Sequence, residues 1–73
     1  ESSCGGLITA ALLAVPGASA CVRGGLVIYT YQMRREFLGL ADKDVRDITP
    51  STEEYALRKA RRLRERSATH WTL

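Results

Sequence analysis

Residues 7–15 form an apolar run in which only Thr9 carries a polar side chain and most of the other residues are Leu or Ala. These residue types favour a helix, and a helix that is apolar on nearly every face is normally buried. Pro16 and Gly17 follow at once and are expected to end it. The run is shorter than the ~20 residues that a membrane span requires, so we expect no membrane partner. The fold must therefore surround this helix with protein.

A second apolar segment, residues 24–31, is rich in β-branched and aromatic side chains. Its nearly continuous apolar character predicts an interior strand that is covered on both faces. Residues 70–73 resemble the start of another strand. Between them the pattern predicts a short helix over residues 32–38 and a helical turn over residues 42–46. The order helix, strand, helix, helix, strand predicts a layered α/β/α fold.

The most strongly signalled helix begins near residue 50. Ser51 with Glu54 three residues later forms a capping-box pattern, and we expect the helix to end near Ser67. Apolar residues at helical spacing predict the side chains that face the core. In this helix they are Tyr55, Ala56, Ala60 and Leu63, and in the preceding short helix and its end they are Met33, Phe37 and Leu40.

The net charge of +3 is concentrated in residues 58–66, which hold six Lys or Arg and one Glu. Such a basic helix would suit a nucleic acid, but no nucleic-acid-binding motif accompanies it. Pairs at helical spacing, Glu54 with Arg58 and Arg61 with Glu65, favour a solvated face instead. We therefore expect no nucleic-acid partner.

Seventy-three residues form at most one small domain, and a composition of 45% hydrophobic and 26% charged residues favours a folded chain over a disordered one. Cys4 and Cys21 are too few for a disulfide framework, and no spacing suggests a metal site. These features predict a reduced, cytoplasmic protein. Because the chain begins at Glu1 rather than Met, we expect a fragment that needs the rest of its domain.

Residues 2–6, Ser-Ser-Cys-Gly-Gly, lie where the first helix should begin. Backbone N–H groups at a helix start can hold an anion or a developing oxyanion, so this segment is a candidate site. It is equally consistent with a tight structural turn. Taken alone, Ser19 is usually a turn residue and Tyr29 is usually a core residue.

Four segments in order, E-S-x-x-G-G-L-[IV], V-P-G-A-S-A, R-G-G-L-V-[IV]-Y and a helix ending in L-G-L, resemble the C-terminal domain of the CinA (competence/damage-inducible) family. The resemblance covers nearly the whole chain. It implies a nicotinamide mononucleotide amidohydrolase-like activity, which converts a carboxamide to an acid and ammonia without a metal or another cofactor. The implied partners are a small nucleotide ligand and further copies of the chain in a homo-oligomer.

The resemblance also implies roles for individual residues. Ser2 and Ser19 match serines that are candidate nucleophiles, and Tyr29 matches the tyrosine that closes the predicted strand. The implied substrate-binding residues are Cys4, which stands where the family commonly has Thr, together with Gly5, Gly6 and Arg34.

Arg34 departs from the family pattern, because amidohydrolase members have a lysine at this place that is implicated in catalysis. A lysine of lowered pKa can accept a proton from serine, whereas a guanidinium stays protonated and cannot. Arg34 can instead bind a phosphate or carboxylate through two hydrogen bonds. Two hypotheses follow: an amidohydrolase with a different base, or a catalytically silent member that binds or responds to a nucleotide.

Overall fold

The computed structural model describes residues 1–73 and contains three helices joined by extended segments and turns. Helix α1 spans Leu7–Leu13 and α3 spans Glu53–Ser67. Helix α2 spans Tyr31–Met33 and continues without a break into a π-helical segment, Arg34–Leu38. Two 3₁₀ turns, Ala18–Ala20 and Asp42–Asp44, lie in the connections. None of the helices is long and apolar enough to cross a membrane.

The predicted layered α/β fold is wrong, because no residue of the chain lies in a β-strand. Residues 24–31 and 70–73, predicted as strands, lie almost entirely outside regular structure. A strand requires a ladder of backbone hydrogen bonds with a neighbour. The first segment makes only two such bonds, from the Glu1 nitrogen to the Leu26 carbonyl (2.9 Å) and from the Ile28 amide to the Glu1 carbonyl (2.7 Å). The apolar, β-branched composition therefore produces an extended segment without a sheet.

Helix α1 forms where the apolar run predicted it, but it is not buried. None of its residues is buried, and the side chain of Leu7 is 74% exposed. The helix also ends at Leu13, three residues before Pro16. A chain of this size buries a limited core, and here that core lies elsewhere.

The core consists of two small clusters around α2, the loop that follows it and the start of α3. The first cluster contains Ile28, Leu38 and Leu40, against which Met33 and Leu63 pack; the second contains Val45, Ile48 and Tyr55.

Phe37, expected in the core, is half exposed, whereas its neighbour Leu38 is only 1% exposed. The expectation assumed the α-helical repeat of 3.6 residues. Residues 34–38 instead form the wider i→i+5 turn of a π-helix, which turns Leu38 rather than Phe37 towards the core.

Helix α3 begins one residue later than a cap at Ser51 would place it. The hydroxyl of Thr52 accepts a hydrogen bond from the Tyr55 amide (3.3 Å) and is the N-cap, while Ser51 has a left-handed φ of 62°. The helix ends at Ser67, as predicted.

The ion pairs predicted along α3 do not form. Its one ion pair joins Arg62 to Glu65, with 3.9 Å between the charged atoms. Arg58 donates instead to the main-chain carbonyl of Asp44 (2.6 Å), so this part of the basic segment holds α3 to the loop before it.

Replacing Leu38 with Ala tests the position of the core. We expect Leu38→Ala to lower the free energy of unfolding by about 2–5 kcal/mol, because it removes a fully buried side chain, and Phe37→Ala to lower it by about 1 kcal/mol or less. Urea denaturation of both variants measures the difference. Equal losses, or a larger loss for Phe37→Ala, would show that the helix buries the face predicted from sequence.

Candidate functional site

The candidate segment, residues 2–6, forms a tight turn that leads into α1. The Gly5 amide donates to the Ser2 carbonyl (3.0 Å), and the Leu7 amide donates to the Cys4 carbonyl (3.1 Å). Gly5 and Gly6 have φ values of 63° and 96°, in the left-handed region that favours glycine. The two glycines are therefore explained by the shape of the turn itself.

The start of α1 is capped by the carboxylate of Glu1. The amides of Gly6 and Ile8 donate to Oε1 at 3.1 Å each, and the amide and hydroxyl of Thr9 donate to Oε2 at 2.8 and 2.5 Å. A carboxylate at this position also interacts favourably with the helix dipole. Three amides at the helix start that could have bound an external anion are thus bonded within the chain.

These hydrogen bonds stabilise the ionised form of Glu1. The bond from the Thr9 hydroxyl lowers the pKa of the Glu1 carboxyl most, and the backbone N–H groups of Thr9 and Ile8 lower it further, against an opposing effect of desolvation. This role of Glu1 was not predicted from the sequence. The sequence did contain a signal for it: the first turn of α1 has no acidic residue of its own to interact with the helix dipole, and Glu1 is the acidic residue that precedes it.

A glycine in the second apolar segment packs closely against the same cap. A Cβ placed on Gly25 would lie 2.2 Å from Oγ1 of Thr9, closer than two atoms can approach. Only glycine therefore allows residues 24–31 to lie this close to α1 while Thr9 keeps its hydrogen bond to Glu1.

The structure brings Ser2 and Tyr29 to the same end of two paired segments. Glu1 is hydrogen-bonded to Leu26 and Ile28 in a parallel direction, so it lies opposite Val27, and Ser2 lies opposite Ile28, one residue before Tyr29. Ser2 is half-buried and Tyr29 is 77% exposed.

The other predicted polar residues are less closely associated with this pair. Ser19 is exposed in the 3₁₀ turn beyond the C-terminal end of α1. Cys4 is an exposed, free thiol within the turn that contains Ser2. Cys4, Gly5 and Gly6 therefore share one turn with Ser2, whereas Ser19 lies in a different turn.

Arg34 is buried, with 3% of its surface exposed, and each nitrogen of its guanidinium group has a partner within the chain. Nε donates to the Leu40 carbonyl (3.0 Å), Nη1 donates to the Tyr55 hydroxyl (3.0 Å), and Nη2 forms an ion pair with Asp42. Its guanidinium carbon also lies 5.3 Å from the ring centre of Tyr31, a cation–π contact.

Protonation of Arg34 is favoured by these contacts. Burial acts to lower the pKa of the guanidinium, but the hydrogen bonds to Tyr55 and Asp42 and the negative charge of Asp42 outweigh it, so the pKa is raised. Arg34 is therefore a permanent cation with a structural role in this chain. The cleft beside it, of about 250 Å³, is not lined by Ser2, Ser19 or Tyr29.

The described residues do not pair a nucleophile with a general base. A serine nucleophile requires a base within hydrogen-bonding distance. Glu1 is adjacent to Ser2 in sequence, but its lowered pKa makes it a weak base. His70, the single histidine, is exposed near the end of the chain and makes no contact with Ser2.

The CinA C-terminal domain family matches this chain over residues 1–73. The chain belongs to the CinA family. The resemblance carried by the four sequence segments is thereby confirmed.

Named CinA relatives agree with this assignment. The chain is 36% identical to a CinA-like protein of Gloeobacter violaceus and 32% identical to one of Solibacter usitatus, each over all 73 of its residues. It is 38% identical to a CinA-like protein of Sulfurihydrogenibium over 56 residues, or 77% of the chain. These matches cover only 17%, 18% and 14% of the respective relatives. No solved structure gives a significant match.

Thr9→Val tests the cap of α1 in this CinA chain. Loss of the strongest hydrogen bond to the Glu1 carboxylate should move its pKa up towards the ordinary value of 4.5. Because the pKa is lowered in the folded state, the cap stabilises the chain above that ordinary value and ceases to do so as pH falls through the folded-state pKa. Carboxyl-carbon NMR titration of Glu1 measures the shift.

Urea unfolding at neutral and acidic pH should show a smaller loss of stability on acidification in Thr9→Val than in the parent chain. Thr72→Val is the matched control, since Thr72 pairs only with Thr69 at the other end of the chain. An unchanged pKa of Glu1 in Thr9→Val would contradict the assigned cap.

Proposed function

We propose that this CinA-family chain carries the attacking serine of a nicotinamide mononucleotide amidohydrolase-like enzyme, which hydrolyses a carboxamide to an acid and ammonia. The observation that supports the proposal is the pairing of Glu1 with Leu26 and Ile28, which places Ser2 and Tyr29 at the same end of two adjacent segments. Membership of the CinA family over the full chain supports the same reaction class.

In this proposal the Ser2 hydroxyl attacks the amide carbon of the substrate and ammonia leaves. A water molecule then hydrolyses the resulting ester and frees Ser2. Tyr29, exposed on the neighbouring segment, orients the hydroxyl or relays its proton. Ser19 is the second candidate nucleophile, from its match to the family pattern.

The backbone of the turn indicates which amides could stabilise the oxyanion. The amides of Gly5 and Gly6 are bonded to the Ser2 carbonyl and the Glu1 carboxylate, whereas those of Ser3 and Cys4 have no partner within the turn. The amide that follows a nucleophile commonly serves this purpose. We therefore assign the oxyanion to the N–H groups of Ser3 and Cys4 rather than to those of the two glycines.

A catalytically silent nucleotide-binding protein of the same family is the second candidate. Arg34 favours it, because this residue occupies the place of a lysine implicated in catalysis and is a buried, fully bonded cation. Under the first candidate, the base must come from protein beyond these residues, and the CinA relatives are several times longer than the chain. Neither candidate involves nucleic-acid binding through residues 58–66.

Ammonia release from nicotinamide mononucleotide by the full-length protein tests the proposal. We expect Ser2→Ala to lower kcat by about 10³-fold or more, since it removes the attacking atom. Ser3→Ala is the matched control, because it keeps the backbone amide, and it should retain most of the activity. Normal turnover in a Ser2→Ala, Ser19→Ala double variant would contradict the assignment.

Measuring nucleotide binding as well as ammonia release with the full-length protein distinguishes the two candidate functions. Binding of the nucleotide without ammonia release would contradict the hydrolase and support the catalytically silent binding protein. Absence of both binding and release would contradict both candidates.

A further inference from the structure

We propose that the cleft between α2 and the Asp42–Asp44 turn is a second binding site, for a small carboxylate attached to an apolar or aromatic group. The ligand would take the place of the Asp42 side chain between two arginines. This site is separate from the turn that contains Ser2, and it does not rest on the proposed amidohydrolase activity.

The structure already holds a carboxylate at this position. Oδ1 of Asp42 accepts from Nη2 of Arg34, and Nη1 of Arg35 lies 3.3 Å from the same oxygen. Two guanidinium groups thus converge on one carboxylate oxygen and leave a net positive charge around it. Guanidinium groups bind carboxylates through short, charge-assisted hydrogen bonds, so the pair selects this class of ligand.

The first arginine is fixed in place before any ligand binds. Nε of Arg34 is bonded to the Leu40 carbonyl and Nη1 to the Tyr55 hydroxyl, so the direction of Nη2 is set by the fold. A donor that is already ordered loses little conformational freedom on binding. Arg35, whose side chain is 46% exposed, supplies the adjustable second donor.

Asp42 can leave this position without disrupting its turn. Its own side chain is 78% exposed, whereas that of Arg34 is only 4% exposed, so the carboxylate of the ligand must replace Asp42 as the partner of Nη2. The turn is held by Asp44 instead: its carboxylate accepts from the Ala41 amide (2.8 Å), and its amide donates to the Ala41 carbonyl (3.0 Å). Asp42 therefore acts as an internal, replaceable ligand.

The cleft provides an apolar wall for the rest of the ligand. Val45, Ile48 and Pro50 line it on one side and the ring of Tyr31 lies beside Arg34. Its volume of about 250 Å³ equals about eight waters at ~30 Å³ each. This space suits a molecule of one ring with a carboxylate.

Benzoate binding to the full-length protein, measured by titration calorimetry and ligand-observed NMR, tests the proposal. Asp42→Asn removes the competing charge but keeps an oxygen acceptor for Arg34, and it should bind benzoate about tenfold more tightly than the parent protein. Asp47→Asn is the matched control, an exposed aspartate without an ion pair, and it should leave the affinity unchanged.

A second pair of variants tests the role of the arginines. In the Asp42→Asn background, Arg35→Gln should weaken benzoate binding about tenfold, whereas Arg46→Gln, which removes the same charge outside the cleft, should not. Benzyl alcohol, which lacks the carboxylate, should not compete. Equal affinities for Asp42→Asn and Asp47→Asn, or equal effects of Arg35→Gln and Arg46→Gln, would overturn the proposal.

Discussion

Removing a guanidinium from water is costly unless its hydrogen bonds and charge are compensated within the protein, and Arg34 meets this requirement with three partners. Two of these partners belong to different core clusters: Leu40 to the first and Tyr55 to the second. The guanidinium therefore joins two clusters that are each too small to form a core. Because the π-helical segment Arg34–Leu38 supplies Arg34 and α3 supplies Tyr55, the same contact fixes the position of that segment relative to α3. The buried part of the structure therefore depends on this contact.

The sequence predicted those features that are determined by local signals. The end of α3 at Ser67, the end of the second helical segment at Leu38 and the helical state of residues 7–13 follow from local residue propensities. The prediction of strands was wrong because a strand requires a hydrogen-bonded neighbour. Residues 24–31 form only two backbone hydrogen bonds, both with Glu1. Phe37 was wrongly predicted to be buried in place of Leu38, because residues 34–38 form a π-helical turn that no local sequence pattern predicts.

The candidate site is held together by contacts that were not predicted from the sequence. Glu1 caps α1 through its side chain and pairs through its backbone with residues 26–28, while Gly25 leaves room for Thr9. These contacts explain why Gly25 is needed and how the Ser2 turn is held against residues 26–28. Arg34, matched from sequence to a substrate-binding position, is a buried cation that holds an internal carboxylate in this structure.

Residue-resolved amide hydrogen exchange tests most directly whether Arg34 organises the chain. The amides of the Arg34–Leu38 segment and of the first half of α3 should exchange most slowly, and those of α1 should exchange much faster. In Arg34→Gln both slow groups should lose protection together, whereas Arg35→Gln should leave them unchanged. If the α1 amides were the slowest, or if the two groups responded independently to Arg34→Gln, the central role of this guanidinium would be contradicted.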